Sequence, residues 1–137
     1  MAGIVVPLME QELLDFSYLG SSAQEILTLH TALPVASYKS GLLMVRVHTN
    51  NIPSGASFLF RVYPTLPSPT DGRQFTNTAL AVTDVTVDDG DAAPLYLHSA
   101  ITTMTAAFLL VQVHATQASS TQTFAAQLSA ALLLREE

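Results

Sequence analysis

The fold is decided by a stretch of sequence that occurs twice. Residues 42–62 read LLMVRVHTNNIPSGASFLFRV, and residues 108–128, which lie 66 positions later, read FLLVQVHATQASSTQTFAAQL. Six of the 21 aligned positions are identical, among them the pairs His48/His114 and Phe58/Phe124. A self-match at one fixed offset predicts two equivalent structural units within one domain.

Each copy alternates apolar and polar residues on both sides of a short polar centre. This period of two is typical of β-strands, whose successive side chains point to opposite faces. Pairing Arg46 with Arg61 inside the first copy gives a β-hairpin with one wholly apolar face. The predicted apolar faces of the two hairpins consist of Leu43, Val45, Val47, Phe58, Phe60 and Val62, and of Leu109, Val111, Val113, Phe124, Ala126 and Leu128. Two hairpins that bury such faces against each other predict an all-β, antiparallel β-sandwich of the jelly-roll kind.

The rest of the chain divides into an N-terminal arm, residues 1–22, and a β-sandwich domain, residues 23–137. Further strands are predicted in the domain at residues 24–35, 79–87 and 95–101, and the last strand alternates as far as Leu134. The arm begins with an apolar segment, residues 3–9, in which Pro7 favours an edge or extended path. This segment has no apolar partner nearby in the sequence, so we expect it to add to a neighbouring subunit as an edge strand.

Composition restricts the possible functions. Of the 137 residues only 12% are charged, and five basic against eleven acidic residues give a net charge of −6, which argues against binding to nucleic acid. The longest unbroken apolar run within residues 92–134 is far shorter than the ~20 residues of a membrane-spanning helix. There is no cysteine, which excludes disulfides and thiolate metal sites.

Two groups of residues are candidates for a metal site. His48 and His114 occupy equivalent positions in the two copies, but no acidic residue that could complete a metal site lies near either of them in the sequence. The alternative is that both histidines simply lie where a strand leaves the sandwich. The segment Asp88-Asp89-Gly90-Asp91 resembles part of a calcium loop, although the position of the bidentate glutamate is Ser99. Aspartate and glycine are also common in turns between strands, so calcium and a plain turn stay open as alternatives.

The sequence offers no catalytic motif. It contains no nucleophile elbow, phosphate-binding loop, dinucleotide fingerprint or zinc-protease helix, and no His–Asp pairing suggests an activated serine. We therefore expect a protein that is not an enzyme and that needs no cofactor or metal.

The most informative surface is the outward face of the first hairpin together with the arm. Met44, Leu59 and Tyr63 beside Arg46 and Arg61 form a mixture that is enriched at protein interfaces, while a second, partly covered face of the same sandwich is the alternative. Two arginines opposite each other also require an acidic partner, on this chain or another. The predicted partner-binding residues are Ile4, Val5, Val6, Leu8, Met44, Arg46, Leu59, Arg61 and Tyr63.

Three segments, GLLMVRVHT, FLFRVYPTLPSP and FLLVQVHAT, followed by the long last strand, resemble small structural proteins of tailed bacteriophages, in particular capsid decoration or cement proteins. The resemblance covers most of residues 26–135. It implies a β-rich fold, a homo-oligomer that is often a trimer, and the major capsid protein as partner. It also implies synthesis in the host cytoplasm and a place on the exterior of the virion.

Two alternatives belong to other classes. The chain could be a free β-sandwich module that binds carbohydrate or another small ligand, although it has no tryptophan and only Tyr18, Tyr38, Tyr63 and Tyr96 as candidate aromatic platforms. It could also be a subunit that forms a capsid shell itself.

Overall fold

The structure is a computed structural model that describes residues 3–17, 24–67, 74–76, 83–102, 104, 107–116 and 123–136. These residues form nine β-strands and no helix, and none of them belongs to a helix that could span a membrane. The strands are β1 (Gly3–Ser17), β2 (Gln24–Pro34), β3 (Ser40–Asn51), β4 (Ser57–Pro67), β5 (Gln74–Thr76), β6 (Thr83–Asp88), β7 (Leu95–Ile101), β8 (Phe108–Thr116) and β9 (Thr123–Arg135).

The strands build two antiparallel sheets that pack face to face. Sheet A has the order β1-β9-β3-β7, and sheet B has the order β2-β8-β4, with β5 and β6 both pairing to the far edge of β4. Consecutive strands therefore alternate between the sheets over most of the chain, which is the winding of a jelly roll. The predicted all-β sandwich is confirmed.

The two repeated stretches are not hairpins, so this part of the prediction is wrong. β3 lies in sheet A and β4 in sheet B, and Arg46 is not opposite Arg61 but beside Ser129 and Tyr96. The five residues between β3 and β4 cross from one sheet to the other, with Ile52 and Ala56 buried in the core. Gly55 allows this crossing to turn sharply, because its φ of 85° lies in a region that other residues rarely adopt.

The two copies instead pair with each other. The first strand of one copy pairs with the second strand of the other: β3 with β9 and β4 with β8. Val47 lies opposite Leu128 in sheet A, and Phe60 lies opposite Val113 in sheet B. The internal repeat therefore corresponds to an approximate twofold relation between the two halves at the centre of the sandwich.

The predicted inward faces are correct wherever the side chains are described. All six residues of the first copy are buried, as are Leu109, Val111, Val113, Ala126 and Leu128 of the second, whereas the side chain of Phe124 lies outside the described part. The alternation of β9 continues with buried Ala130, Leu132 and Leu134. The inward faces were predicted correctly although the strand pairing was not, because a residue that points to the core does so whether two strands are neighbours in one sheet or lie in opposite sheets.

The N-terminal segment differs from the expected arm. Residues 3–17 form the edge strand of sheet A and pair with β9 of the same chain from Gly3–Arg135 to Ser17–Thr123. Met9 is buried, and Val6 and Leu8 pack against the core. The long last strand β9 offers a backbone edge and apolar neighbours that lie more than 100 positions away in the sequence, so residues near the segment give no sign of them. That this segment adds to a neighbouring subunit remains a prediction.

We expect truncation of Phe58 to destabilise the fold strongly. Phe58 is 2% exposed between the two sheets, so Phe58→Ala removes a buried ring and should lower the free energy of unfolding by about 3–5 kcal/mol. The matched control is Leu59→Ala, the next residue of β4, whose half-buried side chain points out of the sandwich. Urea unfolding measures both variants, and equal losses would contradict the assignment of the two faces.

Candidate partner-binding site

The structure distributes the nine predicted partner-binding residues over both sheets and does not bring them together. Ile4 and Val5 are exposed at the start of β1, whereas Val6 and Leu8 pack against the core. The other five split between the outer surfaces of the sandwich: Met44 and Arg46 on sheet A, and Leu59, Arg61 and Tyr63 on sheet B.

The two arginines meet different partners. The Arg61 Nε atom lies 3.9 Å from Asp84 Oδ2 on the neighbouring strand β6, so the acidic partner that we expected for this arginine is on the same chain. Arg46 instead stacks on a tyrosine, its Cζ atom 5.1 Å from the centre of the Tyr96 ring. No carboxylate lies within 4.0 Å of the Arg46 guanidinium among the described residues.

Tyr63 is not a surface residue. Only 1% of Tyr63 is exposed. Leu110, which lies opposite it on β8, and His114 are buried as well. The Tyr63 hydroxyl lies 3.3 Å from His114 Nε2, and the two ring centres are 6.2 Å apart. The outer side of sheet B is thus partly covered here, which was the alternative interpretation of this face. Alternation alone cannot distinguish a covered outer face from an open one.

His114 is held neutral by its surroundings. Burial lowers the pKa of its imidazole below the ordinary value, because the charged form loses hydration, and the positive charge of Arg61 lowers it further. Its Nε2 atom also lies 3.3 Å from Gln112 Oε1, an acceptor that favours a proton on this nitrogen. His114 is therefore a packed histidine within sheet B.

The two equivalent histidines lie on opposite outer surfaces. His48 is on sheet A, where its Nε2 atom and Ser129 Oγ share a hydrogen bond of 2.9 Å. A shared site for His48 and His114, which the sequence already disfavoured, is therefore excluded by the fold. No group of three histidine, aspartate or glutamate residues within the described ranges is arranged to hold a metal ion.

The acidic segment 88–91 forms a turn whose carboxylates have backbone partners. The backbone N–H of Gly90 donates to Asp88 Oδ1 at 2.9 Å, and that of Asp88 donates to Asp91 Oδ2 at 2.8 Å. The Asn50 side-chain amide fixes the turn by donating to the carbonyls of Asp88 and Asp91, both at 2.8 Å. These bonds favour the plain turn over a calcium loop.

The outer surface of sheet A carries an open groove of about 380 Å³. It crosses the small residues Ser129 and Ala131 of the central strand β9, and it reaches β1 at Met9 on one side and β3 at Met44 on the other. Arg46 and Tyr96 form one rim, and Glu10 lies at the other. The groove is thus mostly apolar, with one cation and one anion at its borders.

Three exposed apolar side chains are absent from the predicted partner-binding residues, although Tyr96 was named as a possible aromatic platform for carbohydrate. Tyr96 is 66% exposed beside the groove, and Ile26 and Leu27 are 51% and 45% exposed at the start of the edge strand β2. Both residues of β2 face solvent although they point to opposite faces, because β2 has a neighbour, β8, on one side only. The sequence contains no signal for this, since it depends on which strand lies at the edge.

Similar folds are found in solved viral structures. A chain in the structure of the Gx strain of infectious bursal disease virus matches with a TM-score of 0.61 and 12% identity over 97% of this chain and 31% of that chain. The VP2 subviral particle of the same virus gives a TM-score of 0.51 at 12% identity, over 97% and 32%. This chain therefore spans about a third of the length of those chains. No protein-family model and no curated protein matches the sequence. At this identity the likeness shows a shared fold.

His114 should make the stability of the fold depend on pH. In the unfolded chain its pKa returns to about 6.5, so below that pH the unfolded state binds the proton first. The contribution of neutral His114 to the free energy of unfolding is complete above pH 6.5, and it is lost as the pH falls toward the lowered pKa of His114 in the folded state. We expect His114→Gln to reduce the loss of unfolding free energy between pH 7.5 and 5.5, measured in urea. His98→Gln, on an exposed side chain, is the control, and an unchanged pH dependence in His114→Gln would contradict this account.

Proposed function

We propose that this chain is a non-enzymatic structural protein of a virus particle, which attaches to the outside of a capsid shell as a decoration protein. The observation that carries the proposal is the fold match, in which almost the whole chain superposes on part of a chain from a virus structure. The low share of charged residues and the mostly apolar groove on the outer surface of sheet A agree with a protein that works by binding other proteins.

The start of β1 is the surface that we assign to the shell. Residues 3–7 pair with 131–135 in regular register, and the bulges of β1 come only after Pro7. The other edge of this regular segment has no neighbouring strand in the described part, so its backbone can add to an extended segment of the major capsid protein. Val5, 59% exposed, and Ile4, 44% exposed, offer apolar side chains on its two faces.

Copies of the chain also associate with each other in this proposal, as a homo-oligomer for which a trimer is the expected state. A shell-forming subunit is the second candidate function, and the match to a chain of the VP2 subviral particle favours it. A carbohydrate-binding module has less support. Of the four tyrosines considered as platforms, Tyr63 is buried, Tyr38 packs against the core, and Tyr18 lies outside the described residues, which leaves Tyr96.

Co-sedimentation with capsids that lack this chain tests the proposal. The wild-type chain should sediment with the capsids, and Val5→Asp should reduce binding by roughly tenfold or more, because a charge is placed in an apolar contact. The matched control is Thr86→Asp, an exposed residue on β6 at the opposite edge of the sandwich, and it should bind normally.

The same preparation separates the candidates. Particles formed by the purified chain alone would favour the shell-forming subunit over the decoration protein. Retention on a glycan array without binding to capsids would support the carbohydrate-binding module. Normal binding of a folded Val5→Asp variant would contradict the assignment of β1 as the contact.

A further inference from the structure

The start of β1 presents part of its backbone to the open edge of sheet A. Residues 3–7 pair with residues 131–135 of β9 in regular register, and no strand of the described part lies on their other side. Successive residues of an antiparallel strand direct their N–H and C=O groups alternately to one neighbour and to the other. The residues that point to the open edge therefore decide how a partner strand can be held there.

Hydrogen bonds of β9 identify which of its residues face β3. Lys39, which directly precedes β3, donates its N–H to the Arg135 carbonyl at 2.8 Å, and the Gln127 N–H donates to Thr49 Oγ1 of β3 at 3.2 Å. Both of these odd-numbered residues of β9 therefore direct backbone groups to β3. Between them β9 is regular, because its side chains from 126 to 134 alternate strictly between buried and half-buried.

The even-numbered residues of β9 face β1 by the same alternation. The Leu134 carbonyl agrees with this direction, because it lies 3.0 Å from the place that a Cβ atom would occupy at Gly3. Ile4 lies opposite Leu134, and Val6 lies opposite Leu132. Ile4 and Val6 therefore direct their N–H and C=O groups to β9, and the residues that alternate with them direct theirs to the open edge.

We propose that this open edge holds a partner strand through the backbone of Val5, with Gly3 beside it, and that Pro7 ends the edge. Gly3 and Val5 offer both an N–H and a C=O group, whereas Pro7 offers a carbonyl alone, because proline has no N–H. A proline whose nitrogen points to the open edge costs β1 no bond to β9. Beyond Pro7 the register with β9 shifts, which interrupts the regular edge. This inference rests on the proposed attachment of β1 to the shell and names the groups that make it.

The partner that fits this edge is a short extended segment with apolar residues at its centre. Val5, Leu133 and Leu42 lie side by side on the outer surface of sheet A, and the partner residue opposite Val5 would continue this row. Ile4 is 44% exposed and points to the other face, so a partner residue next to the central one meets an apolar side chain there as well. In an antiparallel pair the central residue exchanges two hydrogen bonds with Val5, so it is not a proline.

Two proline substitutions in the full chain test the directions of the backbone groups. Val5→Pro removes an N–H that points to the open edge, so its melting temperature should stay close to that of the wild type. Ile4→Pro removes an N–H that points to β9, so its melting temperature should fall by several degrees. A loss in Val5→Pro that is as large as the loss in Ile4→Pro, or larger, would overturn the assignment of the open edge.

Co-sedimentation with capsids that lack this chain tests the contact itself. Val5→Pro should bind roughly tenfold or more weakly than the wild type, because a carbonyl of the partner loses its donor. Val5→Ala shortens the same side chain but keeps the N–H, so it should bind more tightly than Val5→Pro. A folded Val5→Pro chain that binds as tightly as Val5→Ala or the wild type would overturn the backbone contact and leave the proposed function intact. A wild-type chain that does not sediment with the capsids would overturn the proposed function and this contact together.

Discussion

The structure depends on the antiparallel pairing of the two repeated stretches with each other. β9 lies between β1 and β3, and β8 lies between β2 and β4, so these pairs form the centre of both sheets. Their inward residues include Leu43, Phe60, Leu109 and Leu128, which are buried against each other. A sheet that loses its central pair leaves both a backbone edge and an apolar face in water.

The sequence was sufficient to predict most of the strands, and the inward faces of β3, β4, β8 and β9 wherever their side chains are described, because alternation depends only on the chain itself. It was not sufficient to predict which strands pair, because Val45 and Val62 face the core equally well as neighbours in one sheet or as partners across the sandwich. One signal was available: Ile52 and Ala56 are apolar residues on both sides of a short Pro-Ser-Gly turn, and both are buried where the chain crosses between sheets. The candidate site was harder to predict. Whether Tyr63 is covered, and whether Ile26 is exposed, depends on neighbours that are remote in the sequence.

The two sides of the sandwich differ in a way that bears on function. At the β6 and β7 side the Thr83 and Ser99 hydroxyls share a hydrogen bond between the sheets, and Asp84 lies beside Arg61. At the β1 and β2 side the exposed apolar residues Val5 and Ile26 lie on the edge strands of their sheets. Exposed apolar side chains on an edge strand are suited to contacts with another chain, and this arrangement supports the proposed shell contact.

Disulfide trapping tests the central pairing most directly, because the chain contains no cysteine of its own. Cysteines at Arg46 and Ser129, which lie opposite each other in β3 and β9, should form an intramolecular disulfide on mild oxidation, as should cysteines at Arg61 and Gln112 in β4 and β8. Cysteines at Arg46 and Arg61 should not, since these residues point away from each other on sheets about 10 Å apart. Efficient cross-linking of Arg46→Cys to Arg61→Cys, without cross-linking of the other two pairs, would show that each repeat is a hairpin and would contradict the account.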